Sequence, residues 1–165
     1  MVPTSTLALH LRYTAWASAR LVDAASKLSA SELAHDFKTS EKSIMGTLAH
    51  VFAADRVWWH RINGTTPAKF IDPEKDFLLE TLQTEWPALL AQWEEFVAAK
   101  DEAALAVKIE YKDLKGNAWA TPLWQIILHV VNHGTHHRGQ VAGMIRAHGQ
   151  TPPPLDLIAY YRSLV

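Results

Sequence analysis

Leu128-His129-Val130-Val131-Asn132-His133-Gly134-Thr135-His136-His137-Arg138-Gly139 places four histidines within nine residues. Imidazole is the commonest metal ligand among side chains, and helical spacing can aim two rings at one point. The surrounding apolar residues recur at helical intervals, which predicts one long amphipathic helix running to about His148 and stopping at Gly149. With His133 set to zero on that helix, Ile126 and Met144 fall near +20°, Val130 near +60°, and Leu123 and Val141 near +80°, at about 100° per residue. These positions form the core stripe. His137 lies inside it at about +40°, whereas His129 and His136 flank it at about −40° and −60°. Residues i and i+4 are neighbours on a helix face, so His133 and His137 can ligate one ion together.

Outward from that helix, the same periodicity predicts three more long helices. The first runs from about Thr4 to Leu28, with Leu7, Leu11, Thr14, Ser18, Leu21, Val22, Ala25 and Leu28 on one face. Ser29-Ala30-Ser31-Glu32 has the form of a capping box for a short helical turn. A second helix spans Ser43 to Ile62 and stops at Asn63-Gly64. The third spans roughly Lys75 to Ala99, with Pro87 kinking it or marking a new start, after an irregular connection from Thr65 to Pro73. Between the third and fourth helices, Val107, Ile109 and Tyr111 alternate with lysine and glutamate, and Lys115-Gly116-Asn117 supplies a turn. This reads as a small β-hairpin over residues 107–121. Thr121-Pro122 then offers a capping hydroxyl and a first-turn proline. A proline spacer, Pro152–Pro154, precedes a short last helix, Leu155 to Ser163. The fold class is all-α: an antiparallel four-helix bundle with a small β-hairpin, in one domain spanning residues 1–165.

Composition narrows the chemistry. There is no cysteine, so thiolate zinc sites, disulfides and a cysteine nucleophile are excluded, and any metal must use nitrogen and oxygen ligands. A net charge of −1 without a basic run argues against a nucleic-acid partner. No apolar run approaches the roughly 20 residues that span a bilayer, so no membrane partner is expected. The N-terminal stretch lacks a basic region followed by an apolar core, which makes the cytoplasm the expected location.

Two imidazoles need a third ligand. On the second helix Ile44, Thr47, Val51, Ala54, Trp58 and Ile62 form the apolar face, and His50 lies on its edge, where a bundle can aim it at the fourth helix. His10 is the reserve candidate. His60 falls on the far side, His35 in a polar loop, and His148 at a helix end where its charge suits the dipole. The bland alternative is a pair of core histidines satisfied by each other and by water, but burying two imidazoles without a partner is expensive. His129 and His136 read as groups supporting the ligands or facing solvent.

At these residues the chain resembles a known family. Leu48-Ala49-His50 with Asp55 and Trp58-Trp59 is similar to the first histidine motif of the DinB-like family of metalloenzymes. Asn132 to Gln140 is similar to its second motif, and Tyr13-Thr14-Ala15-Trp16-Ala17 to its N-terminal signature, although Ser18 stands where asparagine is common. The resemblance implies a dimeric four-helix bundle holding a divalent metal on His50, His133 and His137. Three neutral imidazoles leave zinc one open position, which can hold water acidified toward a pKa of about 7 or a thiolate. Zinc or nickel leads, with iron or manganese possible on ligand type. The resemblance further implies thiol-dependent S-transferases using a low-molecular-weight thiol such as bacillithiol or mycothiol. The expected function is a metal-dependent thiol S-transferase or hydrolase acting on a small molecule; the rival is a non-catalytic metal-binding stress-response protein. His136, His129 and, more weakly, Tyr13 are the candidates for orienting substrate or moving protons. Arg138, on the opposite flank of its helix, is expected to face solvent or a dimer partner. Trp86, Trp93 and Trp119 are the tryptophans available for a homodimer interface.

Overall fold

Each of the four long helices presents one apolar stripe, and the four stripes close on a shared core. The computed structural model describes residues 2–65 and 78–165. Along the chain these form α1 (Thr4–Ala25), α2 (Ala30–Leu33), α3 (Ile44–Ile62), α4 (Leu79–Ala98), α5 (Glu102–Ala106), β1 (Lys108–Lys112), β2 (Ala118–Pro122), α6 (Leu123–Ala147) and α7 (Leu157–Arg162). The expected bundle and hairpin are both present. The expected connection from Thr65 to Pro73 and the start of the third helix fall almost wholly outside the described residues.

Side-chain contacts set the helix directions. Thr4, at the start of α1, donates to the carbonyl of Lys100 just past α4, and Arg12 pairs with Glu94, so α1 and α4 are antiparallel. Phe52 meets Trp86 while Trp59 meets Trp93 and Phe96, so α3 and α4 run in the same direction. His50 lies against His137 and Trp58 against His129, which makes α3 and α6 antiparallel. It follows that α1 and α6 are parallel. The antiparallel α3–α6 pair is the one that carries the histidines.

Local chemistry explains most boundaries. Ser29 and Glu32 form the expected reciprocal capping box on α2, and Ser43 caps α3 by accepting from the Gly46 amide at 3.0 Å. α1 ends at Ala25, short of Leu28, and α7 spans Leu157–Arg162, inside the range expected for it. α4 runs through Pro87 without a break. The sequence reading missed α5, a single turn capped by Asp101. It also assigned Thr121 a capping role that the structure contradicts. The residue before a proline is pushed toward extended backbone, so Thr121 stays in β2, and its hydroxyl pairs with that of Tyr111 at 3.2 Å. β1 and β2 are antiparallel, with Tyr111 opposite Trp119, and Gly116 takes the left-handed turn position at φ 86°.

Trp86 and Trp93 are 1% and 0% exposed and belong to the core, which leaves Trp119, 55% exposed, as the accessible tryptophan of the three considered for an interface. Among the described residues no helix is long and apolar enough to cross a membrane.

Candidate metal centre

The spacing on α6 and the position of His50 on α3 bring three imidazoles together. His50, His133 and His137 each offer a ring nitrogen such that all three lie within 4.8 Å of one another. His50 Nε2 and His133 Nε2 are 3.1 Å apart. Two nitrogens on one tetrahedral zinc, at about 2.05 Å each, stand about 3.3 Å apart, so the His50–His133 pair has the spacing of two ligands sharing one ion. Among the described residues it is the one such group. His10, the reserve ligand, is not part of it.

The remaining ring nitrogens are held in ways that suit ligation. His137 Nδ1 contacts Gln140 Oε1 at 2.8 Å; the amide oxygen can only accept, so Nδ1 carries the proton and Nε2 keeps its lone pair. The same amide donates through Nε2 to His136 Nε2 at 3.3 Å. His50 Nδ1 lies 3.6 Å from Glu41 Oε2, an electrostatic contact longer than a hydrogen bond. Glu41 reaches this position because its carbonyl packs on the first turn of α3, where Gly46 has no Cβ to obstruct it. Both supporting groups escaped the sequence reading. Gln140 was within reach of it, since it follows His137 by three residues on one helix face. Glu41 sits in a loop before α3, where no periodicity places it.

His137 is 7% exposed, while His50 and His133 are half-buried, so the group opens toward solvent on one side. His129 and His136 are exposed on the same flank of α6, as the helical wheel places them, about one turn before and one turn after His133. His129 meets Trp58 edge-on and lies 5.6 Å from the His133 ring. Tyr13 is elsewhere: its hydroxyl donates to the Leu155 carbonyl at 2.8 Å, in a small cluster with Trp16 and Tyr160. His60 pairs through Nδ1 with the Thr65 hydroxyl, and His148 packs edge-on against His35 and Phe37 at the far end of α6.

Arg138 corrects the sequence reading. It is 2% exposed and points into the bundle, because an arginine flanking the core stripe of α6 meets α1 rather than water. Nη1 donates to the Ser18 hydroxyl at 3.3 Å and Nη2 to the Thr135 hydroxyl at 3.0 Å, with the guanidinium above the Tyr13 ring. It exerts a favourable field on Asp55 of α3, which is 1% exposed and accepts from Trp86 Nε1 at 2.9 Å. Below the histidines, therefore, lies a buried polar layer joining α1, α3, α4 and α6.

Burial gives the two layers opposite titration behaviour. His133 is pulled down to about 4, first by desolvation and then by the neighbouring imidazoles, and His137 is lowered too. Both are neutral near pH 7, the form that ligates metal. Asp55 is pushed up to about 7 by desolvation, against the pull of Trp86 and Arg138. A histidine lowered in the fold contributes stability that is present above its ordinary 6.5 and lost as pH falls toward 4. An aspartate raised in the fold contributes stability that is present below its ordinary 3.8 and lost as pH rises toward 7. Between these limits the slopes oppose each other. In chelator-treated protein, the thermal midpoint of Asp55→Asn is therefore expected to climb more steeply than wild type between about pH 4.5 and 6.5, where the lowered histidines are no longer opposed by Asp55. Equal slopes in a pH-resolved melting series would contradict this assignment.

Comparisons with known proteins bear on the family and the fold. The DinB family profile matches residues 1–163. Protein DinB of Bacillus subtilis (strain 168) is 23% identical over 155 residues, covering 90% of this chain and 89% of that protein. The crystal structure of a DinB-like protein from Bacillus cereus ATCC 10987 superposes with a TM-score of 0.66 at 16% identity, covering 87% of this chain and 91% of the other. That likeness concerns the fold.

Proposed function

The chain belongs to the DinB family, and on that premise we propose that His50, His133 and His137 hold one divalent transition metal in an enzyme acting on a small molecule. The observation that carries this reading is the convergence of three ligand atoms within 4.8 Å on a group that opens to solvent on one side. Structural zinc sites are commonly closed by four protein ligands, whereas three ligands and an open face suit reactivity. Zinc or nickel is the first expectation, iron or manganese the second. A metal there would supply Lewis acidity at an open position, able to acidify water or to bind a thiolate.

The family resemblance extends this to a thiol S-transferase using a low-molecular-weight thiol, or to a hydrolase. The chain's own groups supply the rest. Gln140 and Glu41 orient the ligand rings. His136 and His129, exposed on one flank of α6, are the groups that would exchange protons with a bound substrate. Tyr13 is drawn away from that role by its bond to Leu155.

A screen of thiol-transfer and hydrolytic substrates, run on wild type beside His50→Ala, His133→Ala and His137→Ala, tests the reading. Turnover that falls at least a hundredfold in all three supports it, and full turnover retained by the three variants overturns it. Metal retained without turnover on any substrate class would instead favour the non-catalytic metal-binding stress-response role. Homodimerisation belongs to the same proposal, with Trp119 as an accessible anchor; sedimentation showing only monomer at high micromolar concentration would remove it.

A further inference from the structure

Among the described residues Arg61 forms no close ion pair with a carboxylate. Its guanidinium carbon lies 4.5 Å from the Trp58 ring centroid and 5.0 Å from that of Tyr111, and Nη2 donates to the Lys112 carbonyl at 3.1 Å. That bond uses one of its five N–H donors. The carboxylate that acts on it is that of Asp113, whose oxygens already accept from Trp119 Nε1, Asn117 Nδ2 and the amides of Lys115 and Asn117. Asp113 is thus committed to closing the hairpin turn. Glu110 is exposed on the opposite face of β1 from Ile109 and Tyr111, which pack toward the core.

From the histidine triad a continuous aromatic row leads to this cation. His133 lies 5.6 Å from His129, His129 lies 5.2 Å from Trp58, and Trp58 lies 4.9 Å from Tyr111. Beyond the triad on the other side stands Glu41, 3.6 Å from His50. The opening is therefore negative at one end and positive at the other, with flat rings between the triad and the positive end.

We infer that Trp58, Tyr111 and Arg61 select the substrate, receiving the flat apolar middle and the anionic tail of a small molecule whose head binds the metal. This rests on the metal-centre reading proposed above. His50 and Arg61 stand about three helical turns apart on α3, about 16 Å. Less a metal–sulfur bond of about 2.3 Å and a charge-assisted hydrogen bond of about 2.8 Å, the substrate class is a carboxylate or similar anion carried roughly 10–12 Å from the metal-binding atom. A molecule with its anion near the head would meet Glu41 and be disfavoured.

Cobalt(II)-loaded protein provides a test that needs no turnover, because thiolate ligation gives a charge-transfer absorption. The probes are 4′-mercaptobiphenyl-4-carboxylate and its neutral carboxamide. Wild type is expected to bind the carboxylate about tenfold more tightly at low salt, as one charge-assisted contact allows. The preference should fall to about one in Arg61→Gln, persist in Arg61→Lys and fade with added salt. The shorter pair, 4-mercaptobenzoate and its carboxamide, cannot reach Arg61 and should show no such preference, a control that needs no variant. A purely structural Arg61 would change melting temperature or cobalt stoichiometry without touching these ratios. Equal binding of the long carboxylate and carboxamide to cobalt-loaded wild type overturns the inference and leaves the metal centre standing. Failure of the triad to take up cobalt overturns both.

Discussion

Chelator treatment is expected to lower the thermal midpoint by about 5–15 °C, and one equivalent of zinc or nickel to restore it. Metal that binds the folded chain alone, at 100 to 1,000 times its dissociation constant, adds about 3–4 kcal/mol. A domain of this size shifts by about 2–4 °C per kcal/mol. The triad makes such selectivity physically reasonable, since its three ligand atoms are assembled from α3 and α6 and come together only in the folded bundle. It also identifies the source of the effect. His50→Ala and His133→Ala should each melt at a midpoint that no longer responds to chelator or metal. A midpoint that ignores chelator and every ion tested in wild type would mean that the histidines pair with each other and with water as core residues.

The second large effect belongs to the polar layer beneath the triad. Arg138→Ala is expected to cost about 3 kcal/mol, seen as a midpoint lower by about 6–12 °C. The substitution removes a buried guanidinium, empties the space above Tyr13, and takes away the donors to Ser18 and Thr135. It also withdraws the favourable field on Asp55. Arg138→Met should recover part of the loss, because the long apolar stem is retained. Gly134 reports on the same contact. A Cβ at Gly134 would stand 2.7 Å from Arg138 Nη1, so Gly134→Ala must displace the guanidinium, at about 1–3 kcal/mol. In an Arg138→Met background the same change should cost little, and a double-mutant cycle read by urea unfolding measures that coupling. Additive costs would show that Gly134 and Arg138 act separately.

The sequence carries the ligand pair because helical periodicity is exact enough to say which residues share a face. His133 and His137 sit four apart on the core stripe of α6, and that arithmetic does not depend on the rest of the molecule. Periodicity alone made His50 legible as a residue on the edge of a stripe, since its approach to α6 depends on how two helices pack; its motif added the expectation of a ligand. Arg138 shows where the arithmetic stops: a wheel marks it as flanking the core, but whether a flank meets water or a third helix is decided by α1. Ser18 and Tyr13, 120 or more residues away in sequence, turn that flank into interior. Thr121 fails for a local reason, because two capping signals fell on a residue that the hairpin keeps as strand. Glu41 and Arg61 owe their positions to loop and hairpin contacts that leave no periodic trace.

The most direct test is elemental analysis of untagged protein purified without chelator, beside His50→Ala prepared identically. About one transition metal per chain in wild type, absent from the variant, is the expected result and establishes His50 as a ligand with the α6 pair. No metal in either protein, with none taken up when zinc, nickel, iron or manganese is supplied, would contradict the metal centre and return the three histidines to the core.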